Sequence, residues 1–140
     1  MTSIHKTRFR DTILTRKIRP AALAELSGVD KSVIYRILNA PEEEVLIHYR
    51  TLFQLAGALN VAADYLRHHT DTSTMDRMTL EFKADFLGKK LVQNGKILTE
   101  IFLANADASE IRRQHAQFNA LMAEYLQAKQ ALQVRDYGTR

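Results

Sequence analysis

The chain has 140 residues, of which 46% are apolar, enough for one domain or for a small domain with an appendage. It has no cysteine, which excludes disulfide scaffolds, thiolate zinc sites and cysteine nucleophiles. No long apolar run occurs and the first residues lack a secretory signal, so we expect a cytoplasmic protein. A net charge of +4 permits a polyanionic partner but hardly favours one.

Basic residues are concentrated near the N-terminus, where Asp11 is the only acid between positions 6 and 19. The basic residues of this segment are Lys6, Arg8, Arg10, Arg16, Lys17 and Arg19. A solvated helix face and a phosphate-contacting surface would both have this composition. Charge alone therefore leaves both interpretations open.

The pattern of the chain predicts an all-α fold, because prolines and glycines are few and alternation of period two is nowhere sustained. A first helix is expected over roughly residues 6–18, with the basic residues mostly around its remaining surface. Its inward positions are predicted to be Phe9, Ile13, Leu14 and Ile18.

Two short helices follow. Pro20 suits the first turn of the second helix, and Gly28 suits its end because glycine takes a positive φ without penalty. Asp30 is a good N-cap for a third helix that extends to about Asn39. The acidic stretch from Pro41 to about residue 45 is expected to be a loop.

A fourth helix is predicted from Tyr49 to about Leu59, with Asn60 as its end, and a short fifth helix follows over residues 62–69. The polar, threonine-rich stretch after it has the character of a linker. We therefore expect two domains, 1–70 and 71–140.

The second domain is expected to be a long helical hairpin. Apolar residues recur in steps of three and four from about residue 76 to 103, and again after a turn that Asp107 or Ser109 could cap. The seam positions are Leu80, Ala84, Leu87, Leu91, Leu98, Ile101, Ile111, Phe118, Leu121, Tyr125, Ala128 and Leu132, with Asn94 in the series. The remaining apolar stripe predicts a homodimer through residues 76–134. Asn94 could fix the register of that dimer. Gly88 and Gly95 either allow another helix to approach closely or break the helix in which they lie.

The stretch from Pro20 to Asn39 meets the steric requirements of a helix-turn-helix. It has a small residue where the helices cross, a glycine in the turn and apolar anchors on the second helix. These positions are Ala24, Gly28, Val29, Ile34 and Ile37, with Leu23 and Leu38 adding core contacts. An ordinary helical hairpin is the alternative, but this register seldom arises by coincidence.

The other positions of the third helix should face outward: Lys31, Ser32, Val33, Tyr35, Arg36 and Asn39. Most are hydrogen-bonding types. In a major groove, Lys or Arg can donate to guanine, Asn can pair with adenine, Ser suits either, and Val33 could touch a thymine methyl.

On these residues, positions 8 to about 69 resemble the Cro and phage-repressor type of helix-turn-helix domain, also called the XRE family. The similarity includes LAELSGVDKSVIYRILN and the later LFQLAGALNVAADYL. It implies a five-helix lambda-repressor-like domain that binds double-stranded operator DNA, usually as a dimer, with half-sites roughly 34 Å apart.

The resemblance also implies roles for individual residues. Base-reading and adjacent positions are Lys31, Ser32, Tyr35, Arg36 and Asn39, and Asp30 is expected to cap rather than read. Phosphate contacts are expected from Arg16, Lys17 and Arg19. Pro20 departs from the family pattern because it has no amide to donate to phosphate; Arg19 or Lys17 could replace that contact.

Other chemistry has little support in the sequence. The five histidines show no paired ligand spacing, so no metal is expected. Glu42, Glu43 and Glu44 favour a solvated turn over a general acid/base pair. Neither GxGxxG nor GxxxxGK[ST] occurs, and no cofactor or enzymatic activity is expected.

Two functions follow from this reasoning. The first is a sequence-specific transcriptional regulator, most simply a repressor that occupies promoter DNA. The alternative is an antitoxin or adaptor whose C-terminal hairpin binds a protein partner such as a toxin or an antirepressor.

Overall fold

The computed structural model describes the backbone of residues 1–138 and the side chains of residues 1–133. This part of the chain is mostly helical, as predicted, with one small sheet. Its helices are α1 (Lys6–Arg16), α2 (Pro20–Ser27), α3 (Lys31–Asn39), α4 (Tyr49–Leu59), α5 (Ala63–Leu66), α6 (Arg77–Leu103) and α7 (Ala108–Gly138). Its strands are β1 (Thr2–His5) and β2 (Glu44–Ile47). The last two positions of the predicted second domain and the side chain of residue 134, at the end of the predicted dimer segment, lie outside the described residues.

The chain divides into two compact units, Met1–Phe82 and the segment from Lys83 onward. The sequence placed a boundary near residue 70, twelve residues earlier than this division. The difference concerns the first turns of α6, which belong to the first unit.

The two strands add a small sheet to the helical chain, and residues 44 and 45, which were expected to lie in a loop, belong to β2. They pair antiparallel, with Thr2 opposite Ile47 and Ile4 opposite Val45, and these four residues are buried. Each strand has only four residues, and its partner lies about forty positions away in sequence. Local periodicity cannot detect such a short, non-local pairing.

The core of the first unit collects apolar side chains from β1, β2 and α1 to α5. Its fully buried members include Ile4, Phe9, Leu23, Ile34, Ile37, Ile47, Leu52, Leu55, Leu59, Val61 and Leu66. Leu14 is 68% exposed, so its predicted inward position is wrong. Phe9 and Ile13 define the inner face of α1, and Leu14 lies about 100° around the helix from Ile13.

The N-terminus of α1 accepts support from two side chains, one at the end of β1 and one just before β2. His5 Nδ1 accepts a hydrogen bond from the Arg8 amide at 3.2 Å, and Glu43 Oε1 accepts one from the Thr7 amide at 2.7 Å. The Lys6 amide also donates to the Glu43 carbonyl at 2.7 Å. Together these bonds satisfy helix-end amides that have no partner within α1.

The first turns of α6 pack into the first unit. The Thr79 hydroxyl is fully buried and accepts a hydrogen bond from the Ala63 amide at 3.1 Å, where α5 begins. The ring of Phe82 stacks on Phe53 of α4, with centroids 4.4 Å apart. Asp76 caps α6 by accepting from the Thr79 amide at 2.9 Å. These contacts explain why the unit extends to Phe82.

The second unit contains the remainder of α6 and all of α7, joined by a short turn. Ala84, Leu87 and Ala128 are buried in its core, and Leu121, Tyr125 and Leu132 pack against them, in agreement with the predicted seam. Asp107 Oδ1 accepts from the Ser109 amide at 3.1 Å, so the predicted cap of α7 is formed by Asp107.

The glycines of α6 admit aromatic rings from α7 and do not break the helix, which is continuous from Arg77 to Leu103. A Cβ at Gly88 would lie 3.4 Å from the Tyr125 ring, and one at Gly95 would lie 3.7 Å from the Phe118 ring. Asn94 Nδ2 donates to the Lys90 carbonyl of its own helix at 3.0 Å.

Candidate nucleic-acid interface

α2 begins at Pro20, as predicted, and follows Arg19, which has an extended backbone. Its buried face includes Leu23, while Ala24 is half-buried and packs against the core. Since Pro20 has no amide, the first residues of α2 have one donor fewer for an anion.

The turn between α2 and α3 is built around Gly28, whose φ of 72° lies in the left-handed region, as predicted for the turn glycine. The Gly28 amide donates to the Ala24 carbonyl at 2.9 Å. Buried Ser27 adds a feature that the sequence reasoning missed. Its hydroxyl donates to the Leu23 carbonyl at 2.6 Å and accepts from the Val29 amide at 3.1 Å. The end of α2 and the start of the turn are therefore tied together.

α3 begins after Asp30, which is its N-cap as predicted. Asp30 Oδ1 accepts hydrogen bonds from the Ser32 amide at 2.9 Å and from the Ser32 hydroxyl at 2.8 Å. The backbone and side-chain bonds from Ser32 lower the pKa of the Asp30 carboxyl below its usual value. Asp30 is therefore a carboxylate at neutral pH.

α3 has one buried face and one exposed face. Ile34 and Ile37 are fully buried, and Leu38 is half-buried against the core. Val33 is also half-buried and packs against the core, so its predicted outward position is wrong. It lies one helical turn before Ile37 and thus borders the buried stripe.

The five predicted base-reading residues all lie on the exposed part of α3. They are Lys31, Ser32, Tyr35, Arg36 and Asn39. Tyr35 is 41% exposed, and the Lys31 ammonium lies 5.7 Å from the centroid of its ring. Among the described residues, Arg36 and Asn39 have no side-chain hydrogen bond or ion pair. This face therefore combines a guanidinium, an ammonium, an amide and two hydroxyls.

Only part of the N-terminal basic cluster is available to bind an external anion. Lys6 Nζ donates to the Ala40 carbonyl at 2.9 Å. The Arg8 guanidinium lies 4.3 Å from the Tyr65 ring centroid and bonds to the Thr70 carbonyl at 3.2 Å and to Asp71 at 3.0 Å. Both side chains therefore stabilise the first unit.

The three predicted phosphate-contacting residues lie at the junction between α1 and α2, and all are exposed. Arg16 ends α1, Lys17 follows in the left-handed conformation with φ of 55°, and Arg19 precedes Pro20. Within residues 1–133, none of these three side chains forms an ion pair. The junction can thus present three cations to a polyanion.

Two other polar clusters, a histidine pair and the turn of acids, lie in the first unit. The rings of His5 and His68 lie 4.4 Å apart, but no group of three potential metal ligands occurs within the described part of the chain. Glu43 contacts the start of α1, and bonds from the hydroxyl and amide of Thr7 lower the pKa of its carboxyl. The turn of acids is thus partly engaged in the fold.

Comparison with known proteins finds no matching family model, curated protein or solved structure. Over residues 1–138, none of the helices has both the length and the apolar character needed to span a membrane.

Proposed function

We propose that this protein is a sequence-specific transcriptional regulator that inserts α3 into the major groove of double-stranded DNA. The supporting observation is the division of α3 into two faces. Its apolar anchors are buried behind a Gly28 turn, while Lys31, Ser32, Tyr35, Arg36 and Asn39 are exposed together. An α-helix fits the major groove, and these side chains carry the donors and acceptors that base edges require.

The exposed residues divide by the contacts that their chemistry favours. Arg36 and Lys31 donate to guanine edges, and Asn39 pairs with adenine. Arg16, Lys17 and Arg19 neutralise phosphates and fix the position of the domain on the duplex without reading sequence. The phosphate contacts supply affinity that depends on salt, and the α3 contacts supply preference for particular base pairs.

As part of this proposal, α1 to α5 form a Cro and phage-repressor type domain. The succession of five short helices, the turn glycine and the cap at Asp30 support this assignment. The β1 and β2 pair and the proline at the start of α2 distinguish this chain from the pattern that the resemblance implies.

We further propose that residues 76–134, which comprise the first turns of α6 and most of the second unit, join two copies and so place two reading helices on one operator. Large apolar side chains of this unit retain substantial exposure: Val92 is 60% exposed, Ile97 42% and Leu126 56%. Such surface favours association. A dimer bound across a promoter would repress transcription by occupying the DNA, and this mechanism needs no cofactor.

Replacement of the Arg36 side chain tests the proposal. Arg36→Ala should weaken binding to the selected site by ~1 to 3 kcal/mol and relax preference at one base position. Arg112→Ala, which removes an exposed arginine of the second unit, is the matched control for net charge and should leave preference unchanged. Binding of single-base operator variants by fluorescence anisotropy measures both effects. An unchanged base preference in Arg36→Ala would contradict the assignment of α3.

A second candidate function is that of an antitoxin or adaptor whose hairpin binds another protein. The observation that favours it is the exposure of Phe102 and Leu103, 67% and 74%, at the end of α6. Under this alternative, changing both residues to serine would abolish a stoichiometric heteromeric complex while leaving the mass of the isolated homodimer and its DNA binding intact. Under the leading proposal the wild-type protein binds DNA and regulates transcription without such a partner.

A further inference from the structure

The hydroxyl of Ser32, on the exposed face of α3, donates its only proton to a carboxylate of the same protein. Its proton is directed to Asp30 Oδ1, which lies 2.8 Å from Ser32 Oγ. A serine hydroxyl has one proton and two lone pairs. With the proton engaged, Ser32 presents only lone pairs to a molecule that lies against this face. The residue type alone allows Ser32 to donate or to accept; the structure leaves it as an acceptor.

Asp30 adds a second acceptor beside this hydroxyl. Its Oδ1 atom receives both bonds from Ser32, and its other carboxylate oxygen has no hydrogen-bond partner among the described residues. The residue is exposed, and no basic side chain of the described residues forms an ion pair with it. The beginning of the exposed face of α3 therefore carries two adjacent acceptors, one of them negatively charged.

We infer that Asp30 and Ser32 together select cytosine at one position of each operator half-site, by accepting a hydrogen bond from its 4-amino group. This inference rests on the proposed function, because it assumes that α3 lies in the major groove. It makes Asp30 a specificity-determining residue in addition to a cap.

The choice of cytosine follows from the edges that the four bases present in the major groove. Guanine presents two acceptors, N7 and O6, and thymine presents the acceptor O4, so both are repelled by a pair of acceptors. Adenine has an amino group, but its N7 acceptor lies beside it. Cytosine presents an amino donor with no acceptor. It is therefore the base that best matches Asp30 and Ser32.

The test compares DNA selected from a random pool by the wild-type protein, Asp30→Asn and Ser32→Ala. Asparagine is as good an N-cap as aspartate, so Asp30→Asn preserves α3 while adding a donor where the free oxygen lay. We expect the wild type to select cytosine at one half-site position. Asp30→Asn should lower that preference about tenfold and shift it toward adenine, and Ser32→Ala should lower it with no gain of adenine. Circular dichroism verifies that both variants keep their helix content.

A base analogue separates this contact from readout of the paired guanine by a neighbouring cation. Replacing the selected cytosine with 2-pyrimidinone removes the 4-amino group and leaves the guanine edge in place. The wild type and Lys31→Ala should lose about tenfold in affinity for this site, whereas the Asp30→Asn, Ser32→Ala double variant should lose little.

The outcomes distinguish this inference from the function on which it rests. If the wild type enriches no sequence at all, the proposed function fails. If it enriches a sequence in which no position responds to Asp30→Asn, or binds the pyrimidinone site as tightly as the cytosine site, only the inference about Asp30 and Ser32 is overturned.

Discussion

Replacing Thr79 tests how the first unit is completed by α6. The Thr79 hydroxyl is fully buried and accepts the hydrogen bond of the Ala63 amide, the first amide of α5. Ala63 is itself 2% exposed, so water cannot readily replace a lost acceptor. Thr79→Val keeps the shape of the side chain and replaces the hydroxyl, and with it this acceptor, by a methyl group.

The expected cost follows from the buried donor that the substitution leaves without a partner. Such a group costs about 1 to 3 kcal/mol of stability. For a unit of 82 residues, each lost kcal/mol lowers the melting temperature by roughly 4 to 8 °C. Thr79→Ser is the matched control, since it keeps the hydroxyl and loses one buried methyl group, worth about 0.8 kcal/mol.

Urea unfolding of the full chain, with amide hydrogen exchange read at Ala63, measures the effect locally and globally. We expect Thr79→Val to be less stable than Thr79→Ser and the Ala63 amide to exchange faster in the valine variant. If the valine variant were as stable as the wild type, with unchanged exchange at Ala63, the buried hydrogen bond would not hold α5 against α6.

Three further predictions concern other parts of the fold. Gly95→Ala should stabilise the second unit by up to about 1 kcal/mol in urea unfolding, because alanine favours a helix and its Cβ would lie 3.7 Å from the nearest ring atom. A lower urea midpoint than that of the wild type would contradict the described packing of Gly95 against α7. The lowered pKa of Glu43 predicts stability that is present above about pH 4.5 and lost as the pH falls through the folded-state pKa. Glu43→Gln should therefore flatten the fall of the urea midpoint below about pH 4.5, and a pH profile identical to that of the wild type would exclude this role. A fragment of residues 1–82 should unfold cooperatively, whereas 1–70 lacks the first turns of α6 and should melt at a lower temperature; equal melting temperatures would show that α6 contributes nothing to the first unit.

Local signals in the sequence predicted the helical elements and the ends of α2, α3 and α4, whereas α5 ends at Leu66, three residues before its predicted end. Pro20 begins α2, Gly28 takes the left-handed conformation, Asp30 caps α3 and Asn60 ends α4 with φ of 58°. Each of these residues acts through its own backbone or its immediate neighbours. Short-range interactions at caps and turns were therefore sufficient to predict these helix ends.

Features that depend on distant residues were not predictable in this way. Three such features join segments far apart in sequence: the pairing of β1 with β2, the hydrogen bond from the Thr7 amide of α1 to Glu43, and the contact between Arg8 and the Tyr65 ring. By charge alone, Arg8 belonged to a basic segment that could be either a solvated helix face or a phosphate-contacting surface. The structure shows its guanidinium occupied within the first unit.

The candidate site was predicted residue by residue, and the five predicted α3 residues are indeed exposed together. Val33 is the exception among the outward positions, because a residue at the border of a buried stripe can pack on either side. Whether the Ser32 hydroxyl donates or accepts depends on the position of a single carboxylate oxygen of Asp30, and only the structure shows that position. The DNA contacts themselves stay a prediction.

We claim that α3 reads DNA sequence, and selection of bound DNA from a random pool by the full chain tests this claim most directly. The molar mass of the selected complex is measured in the same solution. We expect an enriched consensus with two-fold symmetry, half-sites about one helical turn apart and the mass of a protein dimer on one duplex. A pool with no enriched sequence, bound only in a salt-sensitive manner, would contradict the claim.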